Sequence, residues 1–165
     1  MGISLTDGQF GILYNIFSFG LISMLACTVY TLVSQSRVLP KYRGALVMSS
    51  MVTFIAAYHY MRIFNSFEDS FMDGSLKTGT GVGTFNEAYR YVDWILTVPL
   101  LLVEVIAVLG LAKAASSSLI SRLVPASAAM IALGYPGEIS NVNNTKVLYG
   151  VLSTIPFLYI LYVLF

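Results

Sequence analysis

Apolar residues fall in five long runs along this chain, at about 10–33, 45–67, 88–112, 118–135 and 146–165. A helix that crosses the hydrocarbon core of a bilayer needs about 20 predominantly apolar residues. Each run therefore predicts a membrane-spanning helix, the fourth being shorter and less apolar than the others. The first run contains no charge and is too long for a typical signal-peptide core. The fifth is still apolar at Phe165, with no polar or basic flank. That ending carries the expectation that the polypeptide has been cut, or that the rest is a separate chain.

The polar residues lie mostly between the runs. Arg37, Lys41 and Arg43 sit in the first connection, 35–44. The second, 67–87, holds Glu68, Asp69, Asp73 and Glu87 against Lys77, with a Gly/Thr run at 78–84 that suits a hairpin-like excursion. Lys113 lies in the third, with Arg122 near the start of the fourth span, and 137–145 leads to the fifth. Lys and Arg favour the cytoplasmic side. The first and third connections are therefore expected inside, with the N-terminus and the second connection outside, in a multi-pass protein of the cell membrane. No internal repeat or low-complexity segment stands out, and one transmembrane domain over 1–165 is expected.

Composition agrees. Hydrophobic residues make up 57% of the 165 and charged residues 10%, against about 25% charged in a soluble domain. This argues against disorder, an ordinary cytosolic domain and a nucleic-acid binder. Nine basic and eight acidic residues nearly cancel, so net charge points to the bilayer and to no polyanionic partner. The lone Cys27 excludes an intrachain disulfide and a multi-cysteine metal cluster; within its apolar run it reads as a buried, inert thiol. Neither a metal cluster nor a nucleophile–base motif appears, so no enzyme is expected.

Three ionisable groups interrupt the third run: Arg90, Asp93 and Glu104. Charges inside a span are costly and mark functional sites by default. Asp93 and Glu104 stand 11 residues apart, which on a helix is about 20° beyond three full turns and a rise of about 16.5 Å. Both carboxyls share one face, separated by roughly half a bilayer. Arg90 lies one turn outward of Asp93, and Thr97 one turn inward. Such a column can relay protons: a mid-membrane carboxylate accepts one, a neighbouring arginine favours its ionised form, and a carboxyl in apolar surroundings holds one in reserve. Pro99, between the two, removes a backbone donor and can loosen the helix. The bland alternative is a set of interhelical polar contacts. His59, in the second run, is either a satisfied packing residue or a partner of the buried Asp93. Arg62, nearer the outer end, can simply snorkel.

The stretch Arg90-Tyr91-Val92-Asp93-Trp94-Ile95-Leu96-Thr97-Val98-Pro99-Leu100-Leu101-Leu102-Val103-Glu104 resembles the third helix of microbial (type 1) rhodopsins. Ala57-Tyr58-His59-Tyr60-Met61-Arg62-Ile63-Phe64 is similar to helix B of the proteorhodopsin and xanthorhodopsin branch. Met130-Ile131-Ala132-Leu133-Gly134-Tyr135 is similar to helix D, and the segment from Ser153-Thr154 to Phe165 to helix E. The resemblance implies an all-α membrane protein whose five helices, A to E, are part of a seven-helix retinal-binding bundle.

By position it implies that Asp93 is the Schiff-base counterion and first proton acceptor, Glu104 the cytoplasmic proton donor, Arg90 the arginine of the release side and His59 the counterion's partner. With Thr97 this is the pattern of outward proton pumps. Trp94, Leu101, Met130, Gly134, Ser153 and Thr154 match the retinal pocket, although Trp94 equally suits plain helix packing. The apolar Leu101 implies green rather than blue absorption. Gly150 matches the glycine that opens a slot for a carotenoid antenna in xanthorhodopsin-like proteins; the alternative is a small residue for close helix packing.

One departure is large. The family carries retinal on a lysine of its seventh helix, but Lys41, Lys77, Lys113 and Lys146 all lie away from mid-membrane. The expectation is therefore a light-driven outward proton pump completed by a missing segment or complementary chain with helices F and G. A homo-oligomer is the expected assembly. A photosensory rhodopsin and a non-pumping structural fragment are the alternatives; the carboxyl at Glu104 argues against the sensor.

Overall fold

The computed structural model describes residues 5–72, 75–76 and 89–165. Five long helices account for most of them: α1 (Asp7–Val33), α2 (Arg43–Ser70), α3 (Tyr89–Leu109), α4 (Lys113–Ile139) and α5 (Asn143–Leu164). All five are long and apolar enough to cross a membrane. The 21 residues of α3 extend about 31 Å, close to the thickness of a bilayer core. Two short 3-10 turns, Ser34–Arg37 and Pro40–Tyr42, make the first connection. A minimal antiparallel pair, β1 (Phe71–Met72) and β2 (Ser75–Leu76), begins the second. This pair precedes the Gly/Thr run at 78–84, which lies outside the described residues together with Asp73, Lys77 and Glu87.

The helix ends follow local chemistry. Thr6 caps α1 in a capping box: its Oγ1 accepts from Gln9 N–H, and Gln9 Oε1 accepts from Thr6 N–H. Gly110, at φ +62°, stops α3 in the left-handed conformation glycine adopts without strain. α3 runs unbroken through Pro99. α4 also runs further than hydropathy predicts: the fourth span is Lys113–Ile139, not 118–135. Its first turns are rich in serine and its last contain Pro136 and Glu138, which lowers hydropathy without ending the helix.

Sequence neighbours pack side by side, α1 on α2, α2 on α3, α3 on α4 and α4 on α5. The interior is unusually polar: Thr28, Thr31, Ser50, His59, Asp93, Thr97 and Ser127 are all buried. Many large apolar side chains, such as Ile12, Phe19, Phe54 and Leu158, face outward. Lipid is as apolar as leucine, so helices associate through close packing and polar contacts rather than through burial of oil. Thr28 Oγ1 lies 2.8 Å from Thr53 Oγ1, and Thr31 Oγ1 2.7 Å from Ser50 Oγ, stitching α1 to α2. Ile106, Leu123 and Ile160 form an apolar knot among α3, α4 and α5. Cys27 is exposed on the apolar exterior, not buried; with both helix faces apolar, the run carries no cue to which face the thiol occupies.

Gly137 permits a close approach of α4 and α5: a Cβ there would lie 3.1 Å from Tyr149 Cβ. Gly137→Leu is expected to cost about 1–3 kcal/mol by overpacking. A lower thermal midpoint in detergent, absent for Gly150→Leu, would check this.

Candidate functional site

α3 supplies the centre of the site and α2 its nearest partner. Asp93 and Thr97 are buried on the same face, one turn apart, 8% and 4% exposed. Thr97 Oγ1 donates to the Asp93 backbone carbonyl at 2.9 Å. His59, 6% exposed on α2, brings its Nδ1 to 3.6 Å from Asp93 Oδ1. The same Nδ1 is 3.0 Å from the Ile55 carbonyl. A carbonyl only accepts, so Nδ1 carries the proton in that bond. His59 is thus held by its own helix and stands beside the carboxylate at a distance too long for a good hydrogen bond. Asp93 Oδ1 is buried and has no hydrogen-bond partner among the described residues. A buried carboxylate oxygen left in that state is expensive, and its chemistry suits a cation or an incoming proton.

Arg90 lies one turn from Asp93 on α3. Its guanidinium turns to α4, where Nη2 donates to Glu138 Oε1 at 2.8 Å. Glu138 escapes sequence reasoning because hydropathy closes the fourth span at Tyr135; the signal available is an acid one helical turn beyond Gly134. Arg62 does more than snorkel: its Nη2 donates to Tyr89 Oη at 3.0 Å, and the guanidinium lies 5.2 Å from the centre of the Tyr89 ring.

Glu104 is half-buried further along α3, in a shallow apolar recess with Leu101, Val105, Val108 and Leu109. The remaining predicted pocket residues are distributed over α3, α4 and α5. Trp94 and Leu101 are 39% and 44% exposed. Met130 packs against the Ile106–Leu123–Ile160 knot. Gly134 lets the Tyr91 ring come within 3.1 Å of where a Cβ would stand. Ser153 and Thr154 hydroxyls both donate to the Gly150 carbonyl. Gly150 itself has open space where a Cβ would be, so it is not the close-packing glycine of this helix pair. With Gly134, Gly137, Tyr91, Glu138, Lys146 and Ser153 it lines a recess of about 250 Å³. No group of three or more metal-ligating side chains forms among the described residues.

A bundle of apolar helices with a buried aspartate–histidine pair on its inner helices defines a multi-pass membrane protein built around an intramembrane carboxylate. The model of the bacteriorhodopsin-like protein family matches residues 13–165, and the chain belongs to that family. It is 38% identical over 128 residues to the green-light absorbing proteorhodopsin of Gamma-proteobacterium EBAC31A08, covering 76% of this chain and 46% of that protein. It is 31% identical over 146 residues to bacteriorhodopsin-I of Haloquadratum walsbyi, covering 88% of this chain and 54% of that protein. The chain thus spans about half the length of the curated relatives it matches. Among solved structures, a thermophilic rhodopsin superposes with a TM-score of 0.91 at 46% identity, over 100% of this chain and 66% of that one. Xanthorhodopsin, described as a light-driven ion pump with dual chromophore, gives 0.90 at 46% identity over 100% and 67%. The family's fold is a seven-helix bundle, of which α1 to α5 are present here.

Proposed function

We propose that this chain, as a single transmembrane domain over 1–165, is the five-helix portion of a light-driven outward proton pump that carries retinal. Its complement is a segment or second chain with two further helices and the retinal-bearing lysine. The single observation that carries this reading is Asp93: a buried carboxylate oxygen without a hydrogen-bond partner among the described residues, 3.6 Å from His59, on the α3 face that also holds Thr97 and Glu104. That oxygen fits the cationic end of the chromophore. Trp94, Leu101, Met130, Gly134, Ser153 and Thr154 would flank its length, with Leu101 favouring green absorption.

Bound retinal would supply a light-driven change of shape and a proton at its cationic end. The chain's residues do the rest. Asp93 takes the proton at Oδ1. Thr97, tied to the Asp93 carbonyl, keeps that part of α3 in register. Apolar residues between Asp93 and Glu104 keep water from short-circuiting the two carboxyls. Glu104 returns a proton from the cytoplasmic side. Arg90 and Glu138 face the outer side. In this reading the N-terminus lies outside, which the basic residues Arg37, Lys41, Arg43 and Lys113 at the opposite ends of the helices support. A homo-oligomer is the proposed assembly.

The test is reconstitution: retinal plus the chain and a complementary two-helix segment should give a visible absorption band, and the chain without the segment should not. No band from the complete set would overturn the proposal.

The open space at Gly150 supports a carotenoid antenna. Gly150→Trp should abolish carotenoid binding while leaving retinal binding and pumping, because contact distance governs the interaction. The excitation spectrum for pumping, recorded with an added hydroxylated carotenoid, checks this; no carotenoid band with Gly150 intact would end the antenna claim.

A further inference from the structure

The two ends of the bundle differ in charge. Successive spans alternate in direction, so the first and third connections share one end. Arg37, Lys41, Arg43 and Lys113 lie there. Arg122, on α4, reaches back towards the same end: its Nε donates to the Ser118 carbonyl and its Nη2 to Ser118 Oγ, both at 3.1 Å. Asp7, Glu68, Asp69 and Glu138 sit at the opposite ends of their helices. The first connection concentrates the positive charge. Arg37, Lys41 and Arg43 are all exposed. None of the three meets an aspartate or glutamate among the described residues, and the first turn of α2 contains no acid. Both 3-10 turns pack on α2, so the cations are carried on folded backbone. Lys41 Nζ lies 4.7 Å from the centre of the Tyr42 ring, and tyrosine is enriched at the membrane–water interface. Apolar residues flank the charges along the chain: Leu32, Val33 and Leu39 are 50%, 61% and 61% exposed.

We infer that the connection 34–43 is a docking surface for an anionic phospholipid. The inference goes beyond the pump reading and requires no retinal. Arg37 and Arg43 offer guanidinium forks that suit the oxygens of a phosphate diester, and Lys41 adds a point charge. Leu32, Val33 and Leu39 offer the acyl chains an apolar border. Orientation in a membrane asks only for a surplus of Lys and Arg on one side. It does not ask for guanidinium groups free of carboxylates beside exposed apolar side chains. A soluble polyanion would answer the charges and leave those side chains in water. A zwitterionic lipid would cover the side chains and leave the net charge uncompensated. An anionic lipid does both. Each Lys or Arg at an anionic headgroup surface strengthens binding about fivefold, so three together favour it on the order of 10²-fold.

The experiment is native mass spectrometry of the full chain in detergent with equimolar short-chain phosphatidylglycerol and phosphatidylcholine. Both ends of the bundle then meet lipid, whatever the orientation in a membrane. The wild type should retain phosphatidylglycerol over phosphatidylcholine on the order of 10²-fold. The triple variant Arg37→Gln, Lys41→Gln, Arg43→Gln should lose that preference, whereas Arg62→Gln, nearer the other end of α2, should keep it. Equal retention of the two lipids by the wild type, an undiminished preference in the triple variant, or an equal loss in Arg62→Gln would overturn the inference. Should the triple variant fail to fold, salt decides with the wild type alone. Raising ammonium acetate from about 0.1 M to about 1 M shortens the screening length from about 10 Å to about 3 Å, and the preference should collapse; a preference indifferent to salt would overturn the inference. Glycerol phosphate, the headgroup chemistry without acyl chains, tests the source. At equal concentration it should leave phosphatidylglycerol bound. Full displacement would assign the surface to soluble phosphate esters and overturn the lipid inference.

Discussion

Asp93→Asn is expected to abolish light-driven proton transport and to move the pigment of the complete protein to longer wavelength. The amide keeps the size of the side chain but cannot take up a proton at Oδ1. Transport should fall by about 10²-fold or more, the scale of losing a positioned proton acceptor. The colour change has a separate origin. A negative charge beside the cationic end of the chromophore stabilises its ground state, and the neutral amide does not. His59 supplies no compensating negative charge in the variant, and its Nδ1–H is already engaged with the Ile55 carbonyl. Transient absorption and a light-induced pH trace check the two effects; normal pumping by the variant would remove Asp93 from its role.

Glu104→Gln is expected to leave the first proton transfer intact and to slow the return of a proton from the cytoplasmic side by about 10²-fold. The carboxyl lies about 16.5 Å along α3 from Asp93, too far to influence the first step directly. Its recess is formed by Leu101, Val105, Val108 and Leu109, so little else nearby can stand in for it. Flash photolysis separates the early and late phases. An unchanged late phase would show that protons return by another route.

Much of this is legible in the sequence, for a definite reason. A helix in lipid must satisfy its own backbone groups, so each span announces itself by length and hydropathy. Charges are too costly there to be incidental, so Asp93 and Glu104 stand out, and helical spacing puts them on one face. What hydropathy carries poorly is the direction a residue faces and where a span ends. Cys27 sits in a run that is apolar on every side, and its exposure follows only from the packing of α1 on α2. Polar turns at both ends of α4 resemble loops, so hydropathy sets Lys113 before the helix and Glu138 after it, and one partner of Arg90 is lost with them. Gly137 and Gly150 are alike in sequence, yet one is pressed against Tyr149 and the other meets open space. Only the relative placement of α4 and α5 separates them.

The most direct measurement of the central claim is the pH of an unbuffered suspension of cells making the complete protein with retinal, under green light. The account predicts acidification of the medium on illumination, reversed in the dark, abolished by a protonophore and absent with Asp93→Asn. Alkalinisation, or no change from a pigment that absorbs the light, would contradict outward proton pumping.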